Sequence, residues 1–222
     1  MIKKLLASAA LVICSITGLN SCASNTSQNQ IDKKGTNDTT VNMRTEGKKL
    51  VVFFSHTGEN YNVGYIEKGN THIIADMIAD AIGADRFEIV PEKGYPKDSY
   101  EQCIEIAKQE KESNARPAIK GDVKVEEYDV VFIGYPNWWG EAPMCVYTFI
   151  DKHDWTGKTV IPFITHEGSG MGGTDRKIAA ACEGAETALG KGLAVQGKIA
   201  QKDRESAQKS VDRWLEGLGF TK

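Results

Sequence analysis

Leu50-Val51-Val52-Phe53-Phe54-Ser55-His56-Thr57-Gly58, then ten residues, then Gly69-Asn70-Thr71-His72-Ile73-Ile74, is the stretch that decides the fold. Its opening is an unbroken apolar run of strand length, rich in β-branched and aromatic side chains. Such a run predicts a strand covered on both faces. Beyond Gly69, the residues Ile73, Ile74, Met77, Ile78, Ala81 and Ile82 recur at helical spacing on one face. A buried strand that feeds a helix through a Ser/Thr/Gly turn is the first half of a strand-helix-strand unit, and such units build parallel sheets.

The same alternation continues outward. Arg86-Phe87-Glu88-Ile89-Val90 alternates like an edge strand, and Tyr100, Cys103, Ile104 and Ala107 mark a second helix whose other side carries Glu101, Glu105, Lys108, Lys111 and Glu112. Val130-Val131-Phe132-Ile133 predicts another buried strand, followed by a helix with Pro143 in its first turn. Lys158 to Thr165 predicts a fourth strand, Thr174 a capped fourth helix, residues 193–199 a fifth strand, and Ala207, Val211, Trp214, Leu215 and Leu218 a last helix. The expected fold is therefore α/β: a doubly wound, five-stranded parallel sheet in the order 2-1-3-4-5, with helices on both faces. Pro162 conflicts with a regular central strand because it brings no N–H, and a local bulge is the expected repair.

Residues 1–21 read as a targeting segment. Lys3 and Lys4 precede an apolar stretch, Leu5 to Ile16, that is too short to span a bilayer. Leu19-Asn20-Ser21-Cys22 looks like a bacterial lipobox, which makes Cys22 the lipidation site of an exported lipoprotein held on a membrane, its domain in the periplasm or at the cell surface. An ordinary cleaved signal with an incidental Cys22 is the alternative. Residues 22–47 are polar and predict a flexible tether, and the folded domain is expected over 48–222. The formal charge of −3 becomes −5 without Lys3 and Lys4, which argues against a nucleic-acid partner. Cys103, Cys145 and Cys182 fall in apolar helical patterns with no C-x-x-C pair, so they read as buried core thiols rather than metal ligands.

In a doubly wound sheet, ligands bind beyond the carboxyl ends of the strands where the strand order reverses, which selects the loops after the first, third and fourth strands. The first holds Ser55, His56, Thr57 and Gly58, with Asn70 and Thr71 opening the helix. Hydroxyls and free N–H groups at a helix start suit a phosphate, yet no Lys or Arg lies in Ser55–Thr57 or in 69–74 and the Walker pattern is missing. A solvated turn with simple helix capping remains the alternative. The second loop, Gly134-Tyr135-Pro136-Asn137-Trp138-Trp139-Gly140, carries adjacent tryptophans that either stack on a flat ligand or pack on the core or a partner. In the third, Thr165-His166-Glu167-Gly168-Ser169-Gly170-Met171-Gly172-Gly173, the G-x-G-x-x-G spacing lies after the wrong strand for a dinucleotide fingerprint. Its glycines suit close backbone approach to a planar ring, while His166 and Glu167 either bond ring heteroatoms or are solvated.

Together these loops resemble those of flavodoxin-like, FMN-binding proteins. Ser55-x-Thr57-Gly58 with a displaced Gly69-Asn70-Thr71 is similar to the phosphate loop, and the other two look like isoalloxazine loops of that family. The resemblance spans Lys48 to the C-terminus. It implies FMN with its phosphate at Ser55, Thr57, Asn70 and Thr71, and its ring between the loops that contain Pro136, Asn137, Trp138, Trp139 and Gly140, and His166, Gly168, Ser169 and Gly170. It implies an electron carrier serving a redox partner protein or a small quinone, with no catalytic side chain. Alternatives are an NAD(P)H-dependent quinone or flavin reductase, and a flavin-free binding or scaffold lipoprotein. The departure is the insert Glu59 to Lys68, whose Tyr61 or Tyr65 either folds over the ring or does not touch it.

Overall fold

The structure is a computed structural model that describes residues 43–220; the targeting segment, Cys22 and most of the expected tether lie outside them. In chain order the elements are β1 (Lys49–Phe53), β2 (Gly58–Asn60), β3 (Gly64–Ile66), α1 (Asn70–Ile82), β4 (Asp85–Glu88), β5 (Val90–Pro91), α2 (Tyr100–Glu112) and β6 (Ile119–Lys120). Then come β7 (Val130–Pro136), α3 (Met144–Ile150), β8 (Thr159–His166), α4 (Thr174–Ala181), β9 (Glu186–Thr187), β10 (Leu193–Gln196), α5 (Gly197–Lys202) and α6 (Arg204–Gly217). Parallel pairing runs β4-β1-β7-β8-β10, which is the doubly wound order 2-1-3-4-5.

Alternation along the buried strands explains the two cores. Leu50, Val52 and Phe54 face α2, α3 and α4, meeting Cys103, Val146, Phe149 and Ile178. Val51 and Phe53 face α1, α5 and α6, meeting Ile74, Ile78, Ala200, Val211 and Leu215. The central strands β1, β7 and β8 thus bury both their faces, the reason their sequences are almost continuously apolar rather than alternating. Cys103, Cys145 and Cys182 are buried, free thiols in the first of these cores.

Several local expectations need correction. No bulge accommodates Pro162: the β7–β8 register runs unbroken through it. The adjustment lies on the other side of β8, where the fifth strand is split. Glu186 and Ala188 N–H donate to Lys158 and Val160 O, so the even-numbered positions of β8 face that side. Pro162 falls in the gap between β9 and β10, where no ladder N–H is needed. The fifth strand stops at Gln196, because Lys198 N–H is drawn to Glu167 Oε1 (2.9 Å) and the chain turns into α5.

The helix starts and the edge strand also shift. Gly173, not Thr174, is the cap residue of α4; the Thr174 hydroxyl instead donates to Met171 O (2.8 Å) and accepts from Tyr135 OH (3.0 Å). Pro143 is the extended residue just before α3 rather than inside its first turn. β4 ends at Glu88, since Val90 leaves the sheet to pair with Lys120. Ordered contacts also start before Lys48: Met43 packs on the second core, and Arg44 pairs with Asp129 at 2.8 Å.

Candidate functional site

The reversal point lies between β1 and β7, whose neighbours diverge to β4 and β8. The turn after β1 presses against the start of α1. Ser55 Oγ accepts from His72 N–H at 3.1 Å, and Gly69 packs so closely that a Cβ there would sit 2.5 Å from His56 O and closer still to Ser55 Oγ. The backbone N–H groups of Ser55, His56, Thr57, Asn70 and Thr71 meet no acceptor among the described residues. Five such donors, with no Lys or Arg in 55–57 or 69–74 but with the Lys97 charge near enough to act on His56, make a cradle able to receive an anion. Thr71 is fully buried and its hydroxyl is shared with that of Thr165 (2.8 Å), which ties the cradle to the end of β8.

Beside the cradle opens a cavity of about 270 Å³ that takes residues from all three loops: His56 and Asn70, Pro136 to Trp139, and Thr165 to Glu167. The second loop makes a tight turn in which Trp138 and Glu141 exchange backbone hydrogen bonds (2.9 and 3.1 Å). Trp139 and Gly140 at its apex both have positive φ, 58° and 72°. A tryptophan in this region is held there against its preference. Three contacts to α2 and α4 hold it: Trp139 Nε1–H donates to Ile104 O (2.9 Å), Lys111 Nζ donates to Trp139 O (2.5 Å), and Lys177 Nζ donates to Gly140 O (3.1 Å). Trp138 points inward and packs edge-on against Phe54, His56 and Tyr95, so one tryptophan belongs to the core while the other stays half exposed.

Asn137 joins the second and third loops. Its N–H donates to Thr165 O (2.8 Å), its Nδ2 donates to Ser169 Oγ (2.6 Å), and its Oδ1 accepts from Gly140 N–H (2.8 Å). His166 Nδ1 accepts from Gly168 N–H (2.9 Å), which puts the proton of the neutral ring on Nε2. Desolvation lowers the pKa of His166 and raises that of Glu167. His56 is buried, its Nε2 lacks a partner, and burial together with the Lys97 charge holds its pKa down at about 4.

Of the residues singled out from sequence, His56, Asn70, Pro136, Asn137, Trp138, Trp139 and His166 line the cavity. Ser55, Thr57 and Thr71 form the adjoining cradle and Gly58 opens β2 beside it, while Gly140, Gly168, Ser169 and Gly170 shape the loops behind the lining. Sequence reasoning missed the wall formed by Tyr100, Cys103, Ile104 and Ala107 on α2. Those residues had been read only as a helix's core face, and nothing in the pattern says that this face ends at a cavity. It also left open the segment 59–68, which folds as the β2–β3 hairpin. Glu59 anchors it, with its N–H on Lys97 O (2.7 Å) and its carboxylate accepting from Tyr100 N–H (3.2 Å). Tyr61 lines the cavity and stacks on Tyr100 (6.0 Å between centroids), whereas Tyr65 lies outside the lining. Asn62 at the tip lies near enough to the Glu167 carboxylate to oppose the rise of its pKa, so the hairpin reaches from α2 toward the third loop.

A family model described as Flavodoxin matches residues 48–216. The chain belongs to the flavodoxin family. Among solved structures, a candidate flavoprotein from Bacteroides uniformis is 30% identical with a TM-score of 0.59, the match covering 75% of this chain and 98% of that one. Another from Bacteroides eggerthii is 28% identical (TM-score 0.61; 79% and 100% covered). A flavoprotein from Lactobacillus acidophilus solved in complex with FMN is 20% identical (TM-score 0.56; 76% and 99% covered) and shares the fold. No curated protein matches the chain.

Proposed function

We propose that this flavodoxin-family chain binds FMN and transfers electrons through it. The observation that carries the reading is the continuity of an uncharged donor cradle with an aromatic-lined cavity, Asn70 lying at their junction. The residues present fit a phosphomonoester bearing a planar ring. Unpartnered N–H groups of residues 55–57 and 70–71, with the Ser55 and Thr57 hydroxyls, would hold phosphoryl oxygens by hydrogen bonds. Trp139, Tyr61 and Tyr100 would supply aromatic walls for the ring, and His166 would offer Nε2–H as a neutral donor. Bound FMN supplies one- and two-electron redox chemistry.

The cavity, at about 270 Å³, is small for a ligand site and is lined on one side by Asn60 and Tyr61 of the hairpin. That supports a carrier with one ring system in the site over a reductase that must also seat a nicotinamide. The acceptor in this reading is a redox protein or a small quinone that meets the exposed edge near Trp139. Titrating the purified protein with FMN tests the core of it: bound flavin is quenched and its visible spectrum shifts. A protein that leaves FMN fluorescence unchanged refutes it, and steady turnover of NADPH with a quinone makes it a reductase instead. From the lipobox we further propose membrane attachment through Cys22. Incorporation of a labelled fatty acid that disappears in Cys22→Ala is the expected result; no label refutes it.

A further inference from the structure

The donors in the turn after β1 are neutral, and the His56 ring among them carries no proton charge at neutral pH, its pKa being held at about 4. An anion received there needs its charge met from another segment. Most cations around the turn already answer a carboxylate: Lys68 pairs with Asp76, Arg86 with Asp76 and Asp80, and the charges of Lys198 and Lys202 act on Glu167. On the α5 side the cradle meets a neutral amide, Gln201, whose Nε2 donates to Lys68 O (2.7 Å) and Asn70 Oδ1 (2.8 Å).

Lys97, in the segment that leads into α2, is different. Its backbone is pressed onto the turn: Lys97 O accepts from Glu59 N–H (2.7 Å), and a Cβ on Gly58 would sit 2.3 Å from that oxygen and 2.7 Å from Lys97 Cβ. Gly58, at a φ of 94°, is what lets the two segments meet. Tyr95 on one side packs its ring on Phe54 and Trp138, and Ser99 on the other caps α2 by accepting from Gln102 N–H (3.3 Å). The flexible stem of Lys97 therefore starts from a fixed point against Gly58, next in the chain to Thr57. The Glu59 carboxylate is turned to Tyr100 N–H (3.2 Å), and the exposed Lys97 ammonium pairs with no carboxylate among the described residues. Its charge reaches the His56 ring, inside the turn that holds the donors.

We propose that Lys97 supplies the positive charge the turn itself lacks, and so favours a phosphorylated flavin over its dephosphorylated form. This rests on the FMN reading above and adds to it a residue from outside the binding loops. A phosphomonoester carries close to two negative charges at neutral pH. One exposed ammonium several ångströms away then strengthens binding by about fivefold at low salt, and by little once salt screens it.

The test measures dissociation constants of FMN and riboflavin by fluorescence quenching with the intact protein, at about 20 mM and about 1 M NaCl. Lys97→Met keeps the stem and removes the charge; FMN binding is expected to weaken about fivefold at low salt and to match wild type at high salt. Riboflavin binding should not change at either. Lys97→Glu should weaken FMN further at low salt, and Lys97→Arg should bind it as wild type does. An FMN affinity that Lys97→Met leaves unchanged at low salt, a loss that persists undiminished at high salt, or an equal loss for riboflavin overturns the proposal while FMN binding stands. Wild-type protein that binds both flavins equally overturns it together with the phosphate assignment, and binding of neither overturns the functional reading itself.

Discussion

Gly69 offers the sharpest perturbation of the cradle. Its backbone, at φ −66° and ψ 154°, is one that any residue adopts, so Gly69→Ala adds no torsional strain. The added methyl group would instead lie 2.5 Å from His56 O and closer to Ser55 Oγ. Ordinary carbon–oxygen contact needs about 3.3 Å, so the turn after β1 and the start of α1 must separate by roughly 1 Å. The Ser55 hydroxyl can rotate away; the His56 carbonyl cannot, because it belongs to the chain. Overpacking of this kind costs about 1–3 kcal/mol, and the same displacement spreads donors that must meet one phosphoryl group. Gly69→Ala is therefore expected to lower the urea midpoint and weaken FMN binding by about a hundredfold, while riboflavin binding falls much less. Gly94→Ala is the control, since a Cβ there meets nothing within 4 Å. Urea unfolding followed by tryptophan fluorescence, with flavin titration of both variants, measures the two effects. A folded Gly69→Ala protein with wild-type FMN affinity would refute the assignment of this turn as the phosphate site.

Three further outcomes are expected. Thr57→Ala removes one hydroxyl from the cradle and weakens FMN binding by about 1–3 kcal/mol; an unchanged dissociation constant contradicts its role. Trp138→Ala costs about 3 kcal/mol of stability, because its ring packs on Phe54, His56 and Tyr95, while Trp139→Ala, half exposed, costs much less; equal unfolding midpoints would contradict the packing of Trp138 against the core. His56, with its folded pKa lowered to about 4 against 6.5 when unfolded, takes up its proton mainly in the unfolded chain between those values. Its contribution is full above about pH 6.5 and declines as pH falls toward 4, with a slope of up to about 1.4 kcal/mol per pH unit. His56→Asn should flatten the stability profile over that window, measured by urea unfolding at several pH values; an identical profile argues that His56 is not desolvated.

The sequence by itself determined the layered α/β fold, because burial on both faces forces a strand to be apolar at every position and a helix to be apolar every three or four. Leu50–Phe54 and Val130–Ile133 could hardly be written otherwise. It also singled out the loops that meet around the cavity, since Ser55–Gly58, Trp138-Trp139 and His166–Gly170 are costly or useless choices for ordinary turns. Tertiary structure decided what depends on distant segments meeting. The gap that admits Pro162 belongs to the neighbouring strand, the wall of Tyr100 and Ile104 belongs to a helix whose own pattern reads as plain core, and the separation of Trp138 from Trp139 is set by Phe54 just after β1 and by Ile104 on α2. The pairing of Gln201 with Asn70 is of the same kind. Local periodicity reports which way a side chain faces along its own element, whereas a hydrogen bond across 131 residues is fixed only when the sheet has brought both ends together.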